Sequence, residues 1–293
     1  MDAFLDKQAS LTPMARGVMC NNETEAPYSG AYNEVLTQGS YLCKRCGLAL
    51  FRGHSQFSAG CGWPSFDEMI PNAVTLMPDS DGLRTEIRCG RCEGHLGHVF
   101  TGEHFTQKNT RYCVNSLAID FVNSDTVLDT EEAILAGGCF WGVEYYLSLL
   151  PGVLNVEVGY TGGTVEHPTY EDICRGSTGH YEAVRVLFDV EKTTYTNILK
   201  RFFEIHDPTQ SSGQGPDIGH QYQSAVFYYN DEQKMELQAL LKTLRDNGYD
   251  VVTHAFFVNP FWPAEDYHQH YYSKLDKIPY CHQPVMRFAQ FKQ

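Results

Sequence analysis

Ala133-Ile134-Leu135-Ala136-Gly137-Gly138-Cys139-Phe140-Trp141-Gly142 reads as a short apolar strand, a glycine turn and the first turn of a helix. That order puts Cys139 at a helix N-terminus, where unpaired backbone N–H groups and the helix dipole favour a thiolate. Phe140 and Trp141 follow the sulfur and offer walls for an apolar pocket around a soft nucleophile. Another cysteine, Cys113 in Arg111-Tyr112-Cys113-Val114-Asn115-Ser116, lies shortly before it. The rest of the chain decides whether these two thiols serve one site or two.

Downstream, residues 153–160, 182–190, 225–229 and 251–258 read as strands. Phe140, Val143 and Leu147 recur at helical spacing, as do Ile198, Leu199, Phe202 and Ile205, whose helix should stop near His206-Asp207-Pro208. Met235, Leu237, Leu240, Leu241 and Leu244 mark a further helix, capped by Asn230 or Asp231 and ended by Gly248. The order strand, helix, strand, strand, helix, strand predicts an α+β ferredoxin-like two-layer sandwich with a mixed sheet over residues 131–293. Upstream of a polar linker at 123–130, residues 1–122 hold seven of the ten cysteines. Short apolar runs there alternate with Gly, Pro and Asn turns. This predicts a mostly β domain of antiparallel, β-barrel-like sheets stapled by metal.

A length of 293 residues suits two domains with separate cores. The net charge of -14 argues against nucleic acid or an anionic membrane as partner, since either needs a basic face. No apolar run approaches the roughly 20 residues of a membrane helix. Met1-Asp2-Ala3-Phe4-Leu5-Asp6-Lys7 lacks a basic segment followed by an apolar one, so no signal peptide is expected and the cytoplasm is the expected compartment. There, cysteines serve as ligands and catalysts more than as static disulfides.

Cys43-Lys44-Arg45-Cys46 and Cys89-Gly90-Arg91-Cys92 are two Cys-x-x-Cys knuckles. Four thiolates suit tetrahedral zinc and leave no open position for catalysis, so one structural Zn2+ per chain is expected and no organic cofactor. A redox dithiol is the competing reading, but that motif usually occurs once and in a βαβ setting. His95 and His98 follow the second knuckle and are not needed as ligands, which leaves them a polar role in a site. Cys113 reads as part of a strand from Arg111 to Phe121. Alternation then puts Arg111, Cys113 and Asn115 on one face, with Leu117, Ile119 and Phe121 continuing it as core. Arg111 should lower the pKa of Cys113. A buried structural cysteine is the blander alternative. Cys61, in Gly60-Cys61-Gly62-Trp63-Pro64-Ser65-Phe66, sits in a glycine loop that could carry one sulfur to another, with Trp63 covering a small apolar group.

The knuckles, Gly62-Trp63-Pro64-Ser65-Phe66, His95-Leu96-Gly97-His98-Val99-Phe100 and the Cys113 segment together resemble the B-type methionine sulfoxide reductases over roughly residues 10 to 122. The resemblance implies Cys113 as nucleophile and Cys61 as resolving thiol. His95, His98, Arg111 and Asn115 would hold or protonate the sulfoxide, and Trp63 would line its methyl pocket. Family members often carry acidic residues after His-x-x-His-Val-Phe; this chain has Thr101-Gly102-Glu103, so no acid is carried over to Thr101.

The segment at Gly138 to Gly142 resembles the signature of the A-type methionine sulfoxide reductases. Further matches follow at Gly159-Tyr160-Thr161-Gly162-Gly163, Pro168-Thr169-Tyr170, Gly179-His180-Tyr181-Glu182, His206-Asp207-Pro208, Asp217 before Gln221-Tyr222, and Ala264-Glu265-Asp266-Tyr267-His268-Gln269. The resemblance implies Cys139 as nucleophile and Glu182 as acid. Tyr170 and Tyr222 would be donors to the sulfoxide oxygen and Asp217 a supporting group, with Phe140 and Trp141 as the methyl pocket. Cys281, in the C-terminal tail, would be the recycling thiol, by analogy with tails in that family. Glu144 and Tyr145 read as a solvated helix face, His268 and His270 as helix polar residues, and Cys174 as core.

These resemblances imply a bifunctional enzyme that reduces the R epimer of methionine sulfoxide in its first domain and the S epimer in its second. Substrates would be oxidised proteins or the free amino acid, and thioredoxin would be the reductant. The alternative is a general thiol peroxidase or disulfide oxidoreductase with a zinc redox-sensing module.

Overall fold

The computed structural model describes residues 4–79 and 82–288. The chain divides into two compact units, with the boundary between Thr130 and Glu131. Among the described residues no helix is long and apolar enough to cross a membrane.

The first unit begins with a helix, α1 (Pro13–Asn21), that the composition of that stretch did not lead us to expect. Its start is nonetheless coded locally: the Thr12 side chain accepts from Ala15 N, and Pro13 occupies the first turn. The strands are β1 (Ser40–Cys43), β2 (Ala49–Arg52), β3 (Gln56–Phe57), β4 (Ser65–Phe66), β5 (Val74–Pro78), β6 (Thr85–Cys89), β7 (His95–Thr101), β8 (Thr110–Val114) and β9 (Ile119–Val122). They form a three-stranded sheet, β2-β1-β9, and a six-stranded sheet, β3-β4-β8-β7-β6-β5. Tyr41, Phe51 and Phe66 are fully buried between them, with the Phe51 and Phe66 rings stacked at 4.4 Å.

Cys113 does not lie on one strand that runs through to Phe121. β8 stops at Val114, a 3-10 turn occupies Ser116–Ala118, and β9 belongs to the other sheet. The cause is Glu25, a buried carboxylate that accepts from Ser116 N at 2.6 Å and Leu117 N at 3.0 Å and withdraws both donors from any ladder. Leu117 and Ile119 therefore do not continue the Cys113 face. Residues 124–129 are held against this unit: Asp125 accepts from Gly39 N, Ser124 and Val127 offer carbonyls to Ser40 and Arg52, and Asp129 pairs with Arg91.

From Thr130 onward the chain forms β10 (Thr130–Ala136), α2 (Phe140–Ser148), β11 (Val153–Thr161), α3 (Tyr170–Cys174), β12 (Tyr181–Asp189), α4 (Tyr195–Ile205), β13 (Gly213–Gln214), β14 (Asp217–Ile218), β15 (Ala225–Tyr228), α5 (Asp231–Asp246), β16 (His254–Phe257), β17 (Trp262–Pro263) and α6 (Tyr271–Leu275), which from Glu131 on make up the second unit. Its main sheet is mixed, in the order β16-β15-β10-β12-β11-β17, with β15 and β16 parallel. The apolar stripes of α2, α4 and α5 share one core with the inner sheet positions, including Leu147, Leu199, Phe202 and Leu241. α4 stops before His206-Asp207-Pro208, and Asn230 caps α5 through Gln233 N. The last expected strand is shorter than its apolar run, because pairing with β15 begins only at His254.

Candidate active sites and metal centre

The two knuckles are copies of one turn. Cys43 N donates to Leu48 O and Gly47 N to Cys43 O; Cys89 N donates to Gly94 O and Glu93 N to Cys89 O. Each turn closes with a left-handed residue, Gly47 and Glu93. Because Cys43 ends β1 and Cys89 ends β6, the tetrad bridges the two sheets. All four sulfurs are buried and lie within 4.8 Å of one another, with Cys43–Cys92 at 3.6 Å and Cys46–Cys89 at 3.5 Å. A tetrahedron of bonds of about 2.3 Å has sulfur edges of about 3.8 Å, so this donor set fits a thiophilic divalent metal.

In the first unit, β8 places Cys113 between Ser65 of β4 and His98 of β7. The strands approach so closely that a Cβ on Gly97 would lie 2.0 Å from Cys113 O. Cys61 arrives from a turn with left-handed glycines on both sides, Gly60 and Gly62, and its sulfur stands 4.0 Å from that of Cys113. Trp63, His98, Phe100, Cys113 and Asn115 line a cavity of about 110 Å³. Trp63 is fixed by donation of its indole N–H to Glu25 O at 3.1 Å.

Arg111 pulls the Cys113 thiol down, as expected from the sequence, but it is outweighed. Burial and the neighbouring Cys61 push the Cys113 thiol up to about 12, and the pull of Arg111 does not offset them. Arg111 Nη1 donates to Cys61 Sγ at 3.6 Å. Against burial, Ser65, the Trp63 backbone, Arg111 and Cys113 hold Cys61 below the ordinary thiol value. Of the two thiols, Cys61 is therefore the more readily ionised.

The remaining polar residues divide by partner. His95 Nδ1 bonds Glu86 at 2.6 Å, which fixes it as the protonated nitrogen, while its buried Nε2 has no partner among the described residues. His98 Nε2 bonds Asp79 at 2.8 Å. Asn115 borders the cavity, but its amide is engaged with Glu25 N and Leu96 O. Glu103 clamps Arg111 through two oxygens at 2.7 and 2.9 Å. Glu86 and Asp79 were missed in sequence because each meets its histidine across the sheet, a juxtaposition that a linear motif does not display.

In the second unit, Cys139 is the residue before α2, and Phe140 N donates to Glu182 Oε2 at 3.2 Å across to β12. Burial first, then the Asp217 charge, raises the Glu182 carboxyl to about 8, against the lowering effects of Phe140 N and Tyr222. Tyr170 and Tyr222 are raised by burial, and both feel the Glu182 charge. Asp217 Oδ2 is buried without a partner among the described residues. The helix N-terminus does favour a Cys139 thiolate, through the Trp141 backbone, but Cys281, burial and the Glu182 charge outweigh it and push the thiol up. The adjoining Cys281 is pulled down to about 5, first by its hydrogen bond with Cys139 and, against burial, by His282.

Phe140 is buried against Tyr160 and His268, and Trp141 stacks on Tyr271 at 3.7 Å. Three expectations are corrected here. Glu144 is buried and accepts from His270 N at 2.7 Å, so it ties α2 to the start of α6 instead of facing solvent. His268 lies outside α6, buried, and accepts from the Trp141 indole at 3.2 Å. Cys174 is exposed, because α3 is a single short turn with only Ile173 turned inward.

Two cysteine pairs in separate folded units, each beside acid or base groups and aromatic walls, are the apparatus of a thiol-based oxidoreductase. Residues 131–293 match the family model of peptide methionine sulfoxide reductase, and residues 11–123 match the SelR domain. The chain belongs to the peptide methionine sulfoxide reductase family, with a B-type (SelR) domain preceding an A-type domain. Peptide methionine sulfoxide reductase MsrA of Acinetobacter baumannii (strain AYE) is 46% identical over 151 residues, 52% of this chain and 87% of that protein. Its counterpart in Thermus thermophilus is 47% identical over 152 residues, 52% of this chain and 86% of that protein. The crystal structure of reduced Mxr1 from Saccharomyces cerevisiae aligns with a TM-score of 0.49 and 31% identity, over 53% of this chain and 92% of that one.

Proposed function

We propose that the first unit reduces the R epimer of methionine sulfoxide and the second the S epimer, in oxidised proteins or as the free amino acid, with thioredoxin resetting both sites in the cytoplasm. The observation that carries this reading is that each nucleophile has its own second thiol: Cys61 stands 4.0 Å from Cys113, and Cys281 lies near enough to Cys139 for each to shift the other's ionisation. Two complete dithiol centres fit one enzyme site per epimer.

In the second unit, Cys139 attacks the sulfoxide sulfur and passes its proton to Cys281. Glu182, protonated at neutral pH, gives its proton to the oxygen, with Tyr170 and Tyr222 donating hydrogen bonds to it. Methionine leaves and Cys139 becomes a sulfenic acid. Cys281 then attacks that sulfur, water departs, and a disulfide remains for an external dithiol to reduce. Phe140 and Trp141 hold the substrate methyl group. In the first unit, Cys113 attacks, Cys61 takes its proton and later resolves, and His95, His98, Arg111 and Asn115 surround the oxygen, with Trp63 beside the methyl group. Zn2+ is the metal assigned to Cys43, Cys46, Cys89 and Cys92, where it fixes both knuckles and takes no part in any step. The order β15-β10-β12-β11 supports a ferredoxin-like reading of the second unit.

Cys61→Ser and Cys281→Ser test the pairing. Each variant should release about one equivalent of methionine at its own site and then stop with thioredoxin as reductant. Unchanged thioredoxin-supported turnover in either one removes that thiol from the scheme.

A further inference from the structure

His282 was not singled out by any sequence motif, yet it is the most constrained residue of the C-terminal tail. Tyr280 beside it is 73% exposed and residues 283–286 are exposed, whereas His282 is 0% exposed. Its Nε2 lies 2.8 Å from Gly137 O and its Nδ1 lies 3.0 Å from Cys281 Sγ. A carbonyl oxygen can only accept, so Nε2 carries a proton, and Nδ1 is placed to accept from the sulfur whenever Cys281 is a thiol. The ring fills a space made by the glycines around Cys139. A Cβ on Gly142 would lie 2.2 Å from Nδ1, and one on Gly138 would lie 3.4 Å from Nε2. Asp217 and His206 are the other titratable groups beside it.

We propose that His282 is the catalytic base of the resolving step, taking the proton from Cys281 as that sulfur attacks Cys139. The inference rests on the reading of Cys281 as resolving thiol. In the first half-reaction Cys281 receives the Cys139 proton and becomes a neutral, poorly nucleophilic thiol. The second half-reaction joins Cys281 Sγ to Cys139 Sγ and breaks the Cys139 S–O bond. The thiol is oxidised and the sulfenic acid is reduced. His282 accepts the Cys281 proton at Nδ1, and that proton leaves with the hydroxide as water. The anchor to Gly137 O also holds Cys281 at Cys139, so one residue combines docking of the tail with activation of its thiol.

The test separates these two jobs. In His282→Gln the side-chain amide N–H can still reach Gly137 O, while the base is lost. Mixed with S-sulfoxide in the absence of reductant, this variant should form methionine but close the Cys139–Cys281 disulfide about tenfold more slowly. A dimedone-reactive Cys139 sulfenic acid should accumulate. In a Cys139→Ser background, adding His282→Gln should slow iodoacetamide labelling of Cys281 at pH 7 by about tenfold, a readout that needs no turnover. Wild-type rates of disulfide closure or of labelling would overturn the proposal. Continued thioredoxin-supported turnover by Cys281→Ser would instead remove the reading beneath it, and the labelling experiment would still report on the His282–Cys281 pair.

Discussion

Glu182 shows how one side chain is tuned by its surroundings. A carboxyl exposed to water is ionised at neutral pH and cannot act as an acid there. Burial and the Asp217 charge raise Glu182 to about 8, so it holds its proton below that pH and loses it above. The S-epimer rate should therefore fall as pH rises through 8. Glu182→Gln should lower that rate by about 100-fold and abolish the fall near pH 8. Initial rates across pH check both, and a wild-type profile in the variant would remove the acid role. The carboxylate was legible in sequence because it lies in a contiguous motif. His282 was not, since its partner Gly137 is 145 residues away. Glu103 was passed over because it stands two positions beyond Thr101, yet it is the residue that holds Arg111.

At the level of elements, the turn into α2 explains why glycine stands at position 142. Alanine would favour the helix by about 1 kcal/mol, but its Cβ would meet His282 Nδ1 at 2.2 Å. Gly142→Ala should consequently keep a melting temperature within a few degrees of wild type, slow Cys139–Cys281 disulfide closure about tenfold or more, and leave the first unit's rates alone. Closure at the wild-type rate would show that the ring does not need this space. The helices of the second unit could be read from sequence because their apolar stripes are strictly periodic and their caps and stops are local. β8 could not be bounded in that way. Its apolar alternation continues to Phe121, and what ends it is Glu25, a residue far away in sequence that captures Ser116 N and Leu117 N. Helix α1 was missed although Thr12-Pro13 announces it and Ala15, Val18 and Met19 share its buried face.

For the whole molecule, the division into units with separate cores means that losing one site need not damage the other. The tetrad bridges the two sheets of the first unit only, so a metal held there would support that unit's fold alone. Cys46→Ala should reduce bound zinc from about one per chain to none, with loss of R-epimer reduction and retention of S-epimer reduction; full R-epimer activity without zinc would refute the structural role. The two-unit organisation was visible in the cysteine distribution, seven before the linker and three after it, once four had been allotted to the metal. The central claim is that Cys113 and Cys139 serve two independent sites. The most direct measurement is reduction of separated R and S methionine sulfoxide by Cys113→Ser and by Cys139→Ser, with dithiothreitol as reductant. The account predicts that Cys113→Ser loses only R-epimer reduction and Cys139→Ser only S-epimer reduction; loss of both activities in either single variant would contradict it.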